Sequence, residues 1–400
     1  ATLSSVVLAL IASSGPALAR RVAEVPGALP ALVAAVAASG APDYTLQAAA
    51  PNGAKALAKI ASAGPELARR VAEVPGALAA LVAAMAAGRG ADAPSLQAAA
   101  ASGAKALAVI ASAGPELARR VAEVPGALPA LVAAVAASGA AATPCLQDAA
   151  AYSTEALFQI ASASPELARQ VAEVPGVLAS FVAAVAVGGV AGVTSLQAAA
   201  ATIAAVLALT GKEGPEFARR VAGAPGAMET LVSAVATGRV ATAPGLQDIA
   251  IYCAWALAEI ASAGPGLARC LAEAPGALGA LVSSVAAAGG DAATPSQQAA
   301  AVQCTAALAT IASAGPELVW CVAEVPHALQ TLVAALAAGG AAGEPTLRDA
   351  AANSALALGH IASTGAELAQ HVAEVPHALR TLVAAVAVGG SAAVTGLQAA

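Results

Sequence analysis

Short runs of apolar residues recur along the chain at the spacing of one helix face. In residues 115–162 three such runs follow one another, with apolar positions three or four residues apart. The three sets are Leu117, Val121 and Val124; Leu128, Leu131, Val132 and Val135; and Leu146, Ala150, Ser153, Leu157 and Ile160. The pattern predicts three helices, of which the third runs from about residue 146 to residue 160.

Proline and glycine separate the predicted helices. Pro115 and Glu116 follow Gly114, and both residue types are favourable in the first turn of a helix. Pro125-Gly126 is expected to end that helix, and small residues before Pro144 form a loop. We interpret the glycines as punctuation between helices. Because each helix carries one apolar stripe, it is expected to be stable only when packed against its neighbours.

The three-helix pattern recurs eight times. The phrase IASAGPELARRVAEVPGAL and its variants repeat every 49 to 51 residues. Its proline lies at Pro16, Pro65, Pro115, Pro165, Pro215, Pro265 and Pro316, with Ala366 in the eighth copy. A nearly fixed period without a break in composition predicts one solenoid rather than separate domains.

The period divides residues 1–400 into a single predicted array. The predicted repeats are 1–14 (partial), 15–63, 64–113, 114–163, 164–213, 214–263, 264–314, 315–364 and 365–400 (partial). Both end segments match internal parts of the repeat, so we expect the chain to be a fragment of a longer array.

Composition supports helices and limits the classes of partner. Hydrophobic residues make up 59% of the chain and aromatic residues only 2%, and alanine, the strongest helix former, supplies most of the apolar positions. Only 10% of the residues are charged, which argues against disorder. The net charge is −6 and no basic run exceeds an Arg-Arg pair, so no nucleic-acid partner is expected.

Two segments resemble the armadillo repeat. GALPALVAAVAASG (126–139) and LQAAAASGAKALAVIAS (96–112) are similar to its second and third helices, and the similarity extends over essentially all 400 residues. The resemblance implies an all-α, right-handed α-solenoid, an armadillo-like superhelix of about eight three-helix repeats. It also implies a non-enzymatic protein-binding scaffold or adaptor. Importin-α-like, β-catenin-like and vacuolar-protein-8-like members hold segments of other proteins along a groove of third helices.

The resemblance points to two groove positions in each third helix, an Asn near its end and a Trp one turn earlier. None of the matching residues is Asn and only Trp255 is Trp, which argues against the import-adaptor mode of peptide capture. The candidate partner-binding residues at these positions are Lys55, Lys59, Lys105, Glu155, Gln159, Trp255, Glu259, Thr310 and His360. We expect the acidic part of a protein or peptide segment near the lysines and its basic or apolar part near Trp255.

Other polar residues have simpler structural interpretations. The Arg-Arg pairs are predicted to form ion pairs one turn apart, such as Arg69 with Glu73 and Glu66 with Arg70. The five cysteines form no CxxC motif and are predicted to be reduced thiols that replace Ala at buried positions. The four histidines lie in no HExxH motif. No nucleophile, nucleotide or metal motif is present, so no enzyme activity, metal or cofactor is expected.

Two alternatives to the scaffold remain open at this stage. In the first alternative, the chain is a structural spacer or self-associating rod within a larger protein. In the second, it is a membrane-embedded helical protein. Residues 174–211 carry no charge and are long enough to span a bilayer, but prolines and glycines interrupt them. Direct membrane insertion is therefore not expected. We expect an intracellular protein, cytoplasmic in the simplest case, with a nuclear or membrane-peripheral position as the alternatives.

Overall fold

The computed structural model describes residues 2–40, 47–89, 93–137, 143–190, 194–212, 214–290, 293–341 and 345–387. Within these ranges the chain contains helices and no strand. Contacts divide it into two compact units, Ala1–Glu213 (unit 1) and Gly214–Ala400 (unit 2). Helices from successive repeats stack on one another within each unit, which confirms the prediction of an all-α solenoid.

Unit 1 begins with a third helix, Thr2–Ser13, and continues with four sets of first, second and third helices. These sets are Pro16–Glu24, Ala28–Ala37 and Ala50–Ser62; Pro65–Glu73, Ala77–Arg89 and Pro94–Ser112; Pro115–Ala122, Ala127–Ala137 and Pro144–Ala163; and Pro165–Glu173, Val177–Val190 and Thr194–Lys212. A short 3-10 helix, Ala38–Gly40, follows the second helix of the first set.

Unit 2 contains three complete sets and one that ends, in the described chain, after its second helix. The sets are Pro215–Ala222, Ala227–Val240 and Pro244–Ser262; Pro265–Glu273, Ala277–Ala288 and Pro295–Ser313; Pro316–Ala323, Ala328–Ala341 and Pro345–Thr364; and Ala366–Glu374 and Ala378–Ala387. The chain turns by 85–90° between first and second helices in the pairs where this angle is measured. A short first helix, a second helix at a right angle to it and a long third helix make the architecture armadillo-like.

Alanine and aliphatic side chains form the core of each unit. Leu57, Leu107 and Leu157 occupy equivalent positions in successive third helices of unit 1 and are fully buried. These third helices also pack on one another and on the second helix of their own repeat. Because alanine fills the other contact positions, the helix axes approach closely enough for the leucines to interdigitate.

A type II β-turn produces the right angle between first and second helices. Pro75 occupies its second position and Gly76 its third, where φ is +76°, and the amide of Ala77 donates to the carbonyl of Val74 at 3.0 Å. Glycine adopts this left-handed conformation without steric cost. In the last two turns His327 and His377 occupy the same position with φ of 65° and 66°. Histidine at these two turns therefore introduces backbone strain.

His327→Gly is expected to raise the free energy of unfolding of unit 2 by about 1 kcal/mol, because glycine relieves the left-handed strain. The reverse change at the equivalent turn, Gly276→His, is expected to lower it by a similar amount. Urea denaturation followed by far-ultraviolet circular dichroism measures both. Equal stabilities of His327→Gly and the parent chain would show that the turn tolerates histidine at no cost.

The ion pairs predicted for Glu66 with Arg70 and for Arg69 with Glu73 are wrong, whereas Arg219, in another Arg-Arg pair, does form an ion pair one turn away with Glu216. The Arg70 guanidinium instead donates to the carbonyl of Ala23 at 2.8 Å, and Arg120 donates to Ala72 at 3.0 Å. Both acceptors lie near the end of the preceding first helix, where carbonyls lack helical partners and attract cations. The second arginine of these two pairs thus links successive repeats.

Three ion pairs occur among the described residues, and all are exposed. They are Glu166–Arg169, Glu216–Arg219 and, between successive repeats, Arg269–Glu317. Exposed pairs of this kind contribute little to stability.

No single helix in the described ranges is long and apolar enough to cross a membrane. Five bent pairs of first and second helices reach the required length and composition together.

Candidate functional site

Three successive third helices of unit 1 line a cavity of about 400 Å³. They are Ala50–Ser62, Pro94–Ser112 and Pro144–Ala163. Three of the predicted groove residues, Lys55, Lys59 and Lys105, lie in its wall. The remaining lining residues are Pro51, Asn52, Ala58, Ala98, Ala101, Ser102, Cys145, Asp148 and Tyr152. We refer to this site as the lysine cavity.

Helical periodicity explains why these side chains converge. Asn52, Lys55 and Lys59 are spaced three and four residues apart, so they share one face of their helix. Ser102 and Lys105 occupy the positions of Asn52 and Lys55 on the next helix. The opposite faces of both helices carry the buried leucines, so core packing directs the polar stripe outward.

The wall of the lysine cavity carries net positive charge. It contains three ammonium groups and one carboxylate, that of Asp148. The Nζ atom of Lys105 lies 4.9 Å from the centroid of the Tyr152 ring, a cation–π contact between adjacent third helices. None of the three lysines forms an ion pair with any residue that the structure describes. Lys55 is exposed, whereas Lys59 and Lys105 are half-buried. The wall therefore carries an excess of positive charge, and none of its lysines is paired with the one carboxylate.

Glu155 and Gln159, the other groove residues predicted in unit 1, lie outside the wall of the lysine cavity. Both are half-buried, and the Gln159 amide donates to Glu155 Oε1 at 2.7 Å. The carboxylate of Glu155 is thus engaged within its own helix, one turn beyond Tyr152. Glu155 therefore places a negative charge just beyond the cationic surface of the cavity.

Five polar lining residues were not predicted from the sequence: Asn52, Ser102, Cys145, Asp148 and Tyr152. The first two and Tyr152 lie three residues before the predicted groove positions, and Asp148 lies one further turn back. Continuing the stripe toward the start of each third helix would have found these four. These residues line the cavity because the third helices are long, with 19 residues in Pro94–Ser112 and 20 in Pro144–Ala163.

Unit 2 contains a separate surface around Trp255. The indole nitrogen of Trp255 donates to Glu259 Oε1 at 2.9 Å, and both residues are half-buried. This bond joins two predicted groove residues and leaves the ring faces as apolar surface. Thr310, on the next third helix, donates to the carbonyl of Ala306 at 2.8 Å, and His360 is exposed.

The cysteine prediction is partly wrong. All five thiols are free, but only Cys253 and Cys304 are buried, whereas Cys145 is half-buried and Cys270 and Cys321 are exposed. Burial raises the pKa of Cys253 well above its usual range. Burial also raises the pKa of Cys304, to about 12, although its hydrogen bond with Ser284 lowers it. These two thiols therefore stay protonated and unreactive at neutral pH.

Metal-ligating side chains are dispersed over the described ranges. No group of three His, Cys, Asp or Glu residues there is close enough to hold one ion.

Comparison with known proteins gives structural similarity only. No protein-family model and no curated protein matches the sequence. The crystal structure of SYS-1 matches at 12% identity with a TM-score of 0.45, covering 87% of this chain and 70% of that one. A SYS-1/POP-1 crystal complex matches at 11% identity with a TM-score of 0.46, covering 89% and 75%. A circular tandem repeat protein with novel repeat topology matches at 15% identity with a TM-score of 0.40, covering 99% and 98%.

Proposed function

We propose that the chain is a non-enzymatic, intracellular protein-binding scaffold in which the lysine cavity holds an acidic segment of a partner protein. The main observation in support of this proposal is that Lys55, Lys59 and Lys105 line one cavity whose wall contains a single carboxylate. The chain has a net charge of −6, so this local excess of positive charge contrasts with the molecule as a whole. Charge of this kind steers and orients an acidic ligand.

The placement of the three ammonium groups favours a chain segment over a single small anion. Lys55 and Lys59 lie one turn apart on one helix, and Lys105 lies on the next. Packed helix axes are about 8–10 Å apart. A ligand that neutralises all three lysines therefore carries anionic groups about that far apart, as an extended acidic peptide does. Tyr152, held by its contact with Lys105, adds an aromatic surface for an apolar side chain of the same segment.

The Trp255 surface is proposed as a second contact for a partner protein. Glu259 occupies the indole N–H, so the ring faces are the part of Trp255 that can pack against a ligand. An apolar or basic side chain suits this surface, since the ring supplies both packing area and a cation–π partner.

Charge removal in the lysine cavity tests the scaffold proposal. The triple variant Lys55→Gln, Lys59→Gln and Lys105→Gln is expected to bind a fluorescein-labelled oligoglutamate peptide at least about tenfold more weakly than the parent chain, because each lost charge removes a direct contact. Fluorescence anisotropy at low and high salt measures the affinity.

A matched control removes the same number of positive charges from the first helices of unit 1. Arg20, Arg69 and Arg119 are exposed, and their guanidinium groups form no hydrogen bond among the described residues. Changing all three to Gln is expected to leave peptide affinity within about twofold of the parent, since the charges are remote from the cavity. If both triple variants lost peptide affinity equally, the binding would be non-specific electrostatic attraction. If the lysine variant kept its affinity, the lysine cavity would not be the binding site.

A further inference from the structure

The third helices that line the lysine cavity differ in the sign of their charges. The helices Ala50–Ser62 and Pro94–Ser112 contain lysines as their only charged residues. The helix Pro144–Ala163 contains two carboxylates, those of Asp148 and Glu155, and no basic residue. The charge of the surface therefore changes from positive to negative between two helices that pack on each other.

Asp148 is the carboxylate that faces a ligand in the cavity. It lies in the cavity wall, is exposed, and forms no ion pair with any residue that the structure describes. Glu155, in contrast, lies outside the wall and accepts a hydrogen bond from Gln159 at 2.7 Å. A carboxylate in the position of Asp148 attracts a cationic group of a ligand and repels an anionic one.

Tyr152 separates the two kinds of charge in the wall. It lies one turn after Asp148 on the same helix face. The Nζ atom of Lys105 lies 4.9 Å from the centroid of its ring. Lys105 is therefore held beside Tyr152, and its charge and that of Asp148 are available to different groups of one ligand.

The positions of these residues set the spacing of a matching ligand. Lys55 and Lys105 occupy equivalent positions on adjacent helices, whose axes are about 8–10 Å apart. The equivalent of Lys105 on the next helix is Glu155, and Asp148 precedes it by seven residues, which is about 10 Å along the helix axis. The step from Lys105 to Asp148 is thus about 13 Å at the backbone. Because an extended chain advances about 3.3–3.6 Å per residue, the two steps correspond to about three and about four ligand residues.

We propose that the acidic segment held by the lysine cavity also carries a basic residue, and that Asp148 is the specificity-determining residue that binds it. The inference rests on the proposed function, because the lysines hold the acidic residues of the same segment. The matching pattern has two acidic residues about three positions apart and a basic residue about four positions further on. A segment that is acidic throughout places a like charge against Asp148, which weakens its binding.

Two fluorescein-labelled peptides test this pattern by fluorescence anisotropy. The mixed peptide has Glu at its first and fourth positions, Lys at its eighth and Ser between them, and the acidic peptide has Glu in place of the Lys. Both peptides are made in both chain directions. In one of these directions the parent chain is expected to bind the mixed peptide about fivefold more tightly than the acidic peptide at low salt, because a repulsion becomes an attraction. Screening at high salt is expected to reduce this ratio.

Substitution of Asp148 separates its role from that of the lysines. Asp148→Asn is expected to bind the two peptides with affinities within about twofold of each other, and Asp148→Lys is expected to prefer the acidic peptide. Asp248→Asn is the matched control, since it removes an exposed carboxylate at the equivalent position of a third helix outside the cavity wall. It is expected to keep the ratio of the parent chain. Because each variant is judged by the ratio of two peptides, a change in the folded fraction does not alter the result.

The outcomes distinguish this inference from the proposed function. If the lysine triple variant binds both peptides more weakly than the parent does, but the parent binds the acidic peptide as tightly as the mixed one, the cavity holds an acidic segment and the role of Asp148 is overturned. A parent ratio that persists in Asp148→Asn overturns that role as well. If the parent chain binds neither peptide, the proposed function and this inference are both overturned.

Discussion

Gly238→Ala is expected to lower the free energy of unfolding of unit 2 by about 1–3 kcal/mol, because the added methyl group overfills a tight helix crossing. Gly238 lies in the second helix Ala227–Val240, which crosses the third helix Pro244–Ser262. A Cβ atom at this position would overlap Ala250 Cβ and lie 2.7 Å from the carbonyl oxygen of Leu246. Relief requires movement of the third-helix backbone. Urea denaturation measures the loss.

The matched control is Gly279→Ala, in the second helix Ala277–Ala288 of the next repeat. A Cβ atom there would meet nothing within 4 Å. Its expected effect has the opposite sign, a gain of about 0.5–1 kcal/mol from helix propensity. If Gly238→Ala and Gly279→Ala both stabilised the chain, the helix crossing at Gly238 would relax without a cost in free energy. The opposite signs therefore separate steric contact from the general effect of replacing a helical glycine.

Not every repeat has glycine at this crossing. Gly88, Gly188 and Gly339 make the same close approach as Gly238, whereas Ser39 and Ala288 occupy the equivalent position in two other described repeats. One more residue separates Ala288 from Pro295 than separates Gly238 from Pro244. The interpretation of glycines as punctuation is therefore incomplete, since these four lie within helices.

Most of the fold follows from periodicity, because apolar spacing and proline position both determine helix boundaries. In the representative repeat the observed helices are Pro115–Ala122, Ala127–Ala137 and Pro144–Ala163. The third is longer than predicted at both ends. Pro144 is suited to the first helical position, and the other added residues, Cys145 and 161–163, are small. The spacing of large apolar residues alone cannot locate ends that small residues form.

The site residues were less predictable, since side-chain partners depend on neighbouring repeats. The convergence of the three lysines follows from a spacing of four residues within a helix and fifty between helices. The bonds of Trp255 to Glu259 and of Gln159 to Glu155 depend on rotamers. The exposed Cys270 occupies the position of Arg120 rather than that of a buried alanine, which an alignment of the repeats on their prolines reveals.

Shortening the chain within a third helix is expected to unfold the repeat that contains it. A fragment of residues 1–153 ends inside Pro144–Ala163 and lacks Leu157 and Ile160, which are fully buried. Truncating a buried residue of either type to alanine costs about 2–5 kcal/mol, and the fragment loses both together with the last turns of the helix. Amide hydrogen exchange is expected to show fast exchange in residues 115–137 and slower exchange in residues 65–89.

A fragment of residues 1–163 is the matched control, since it is ten residues longer and retains the complete third helix. Its amides at 115–137 are expected to be protected, because the helix still covers Leu117 and Leu131. Stacked repeats contact mainly their neighbours, so removing everything after residue 163 leaves the packing of the earlier repeats in place. Equal loss of protection in both fragments would mean that unit 1 folds as one indivisible unit. Equal retention would mean that the end of the third helix adds little to the repeat.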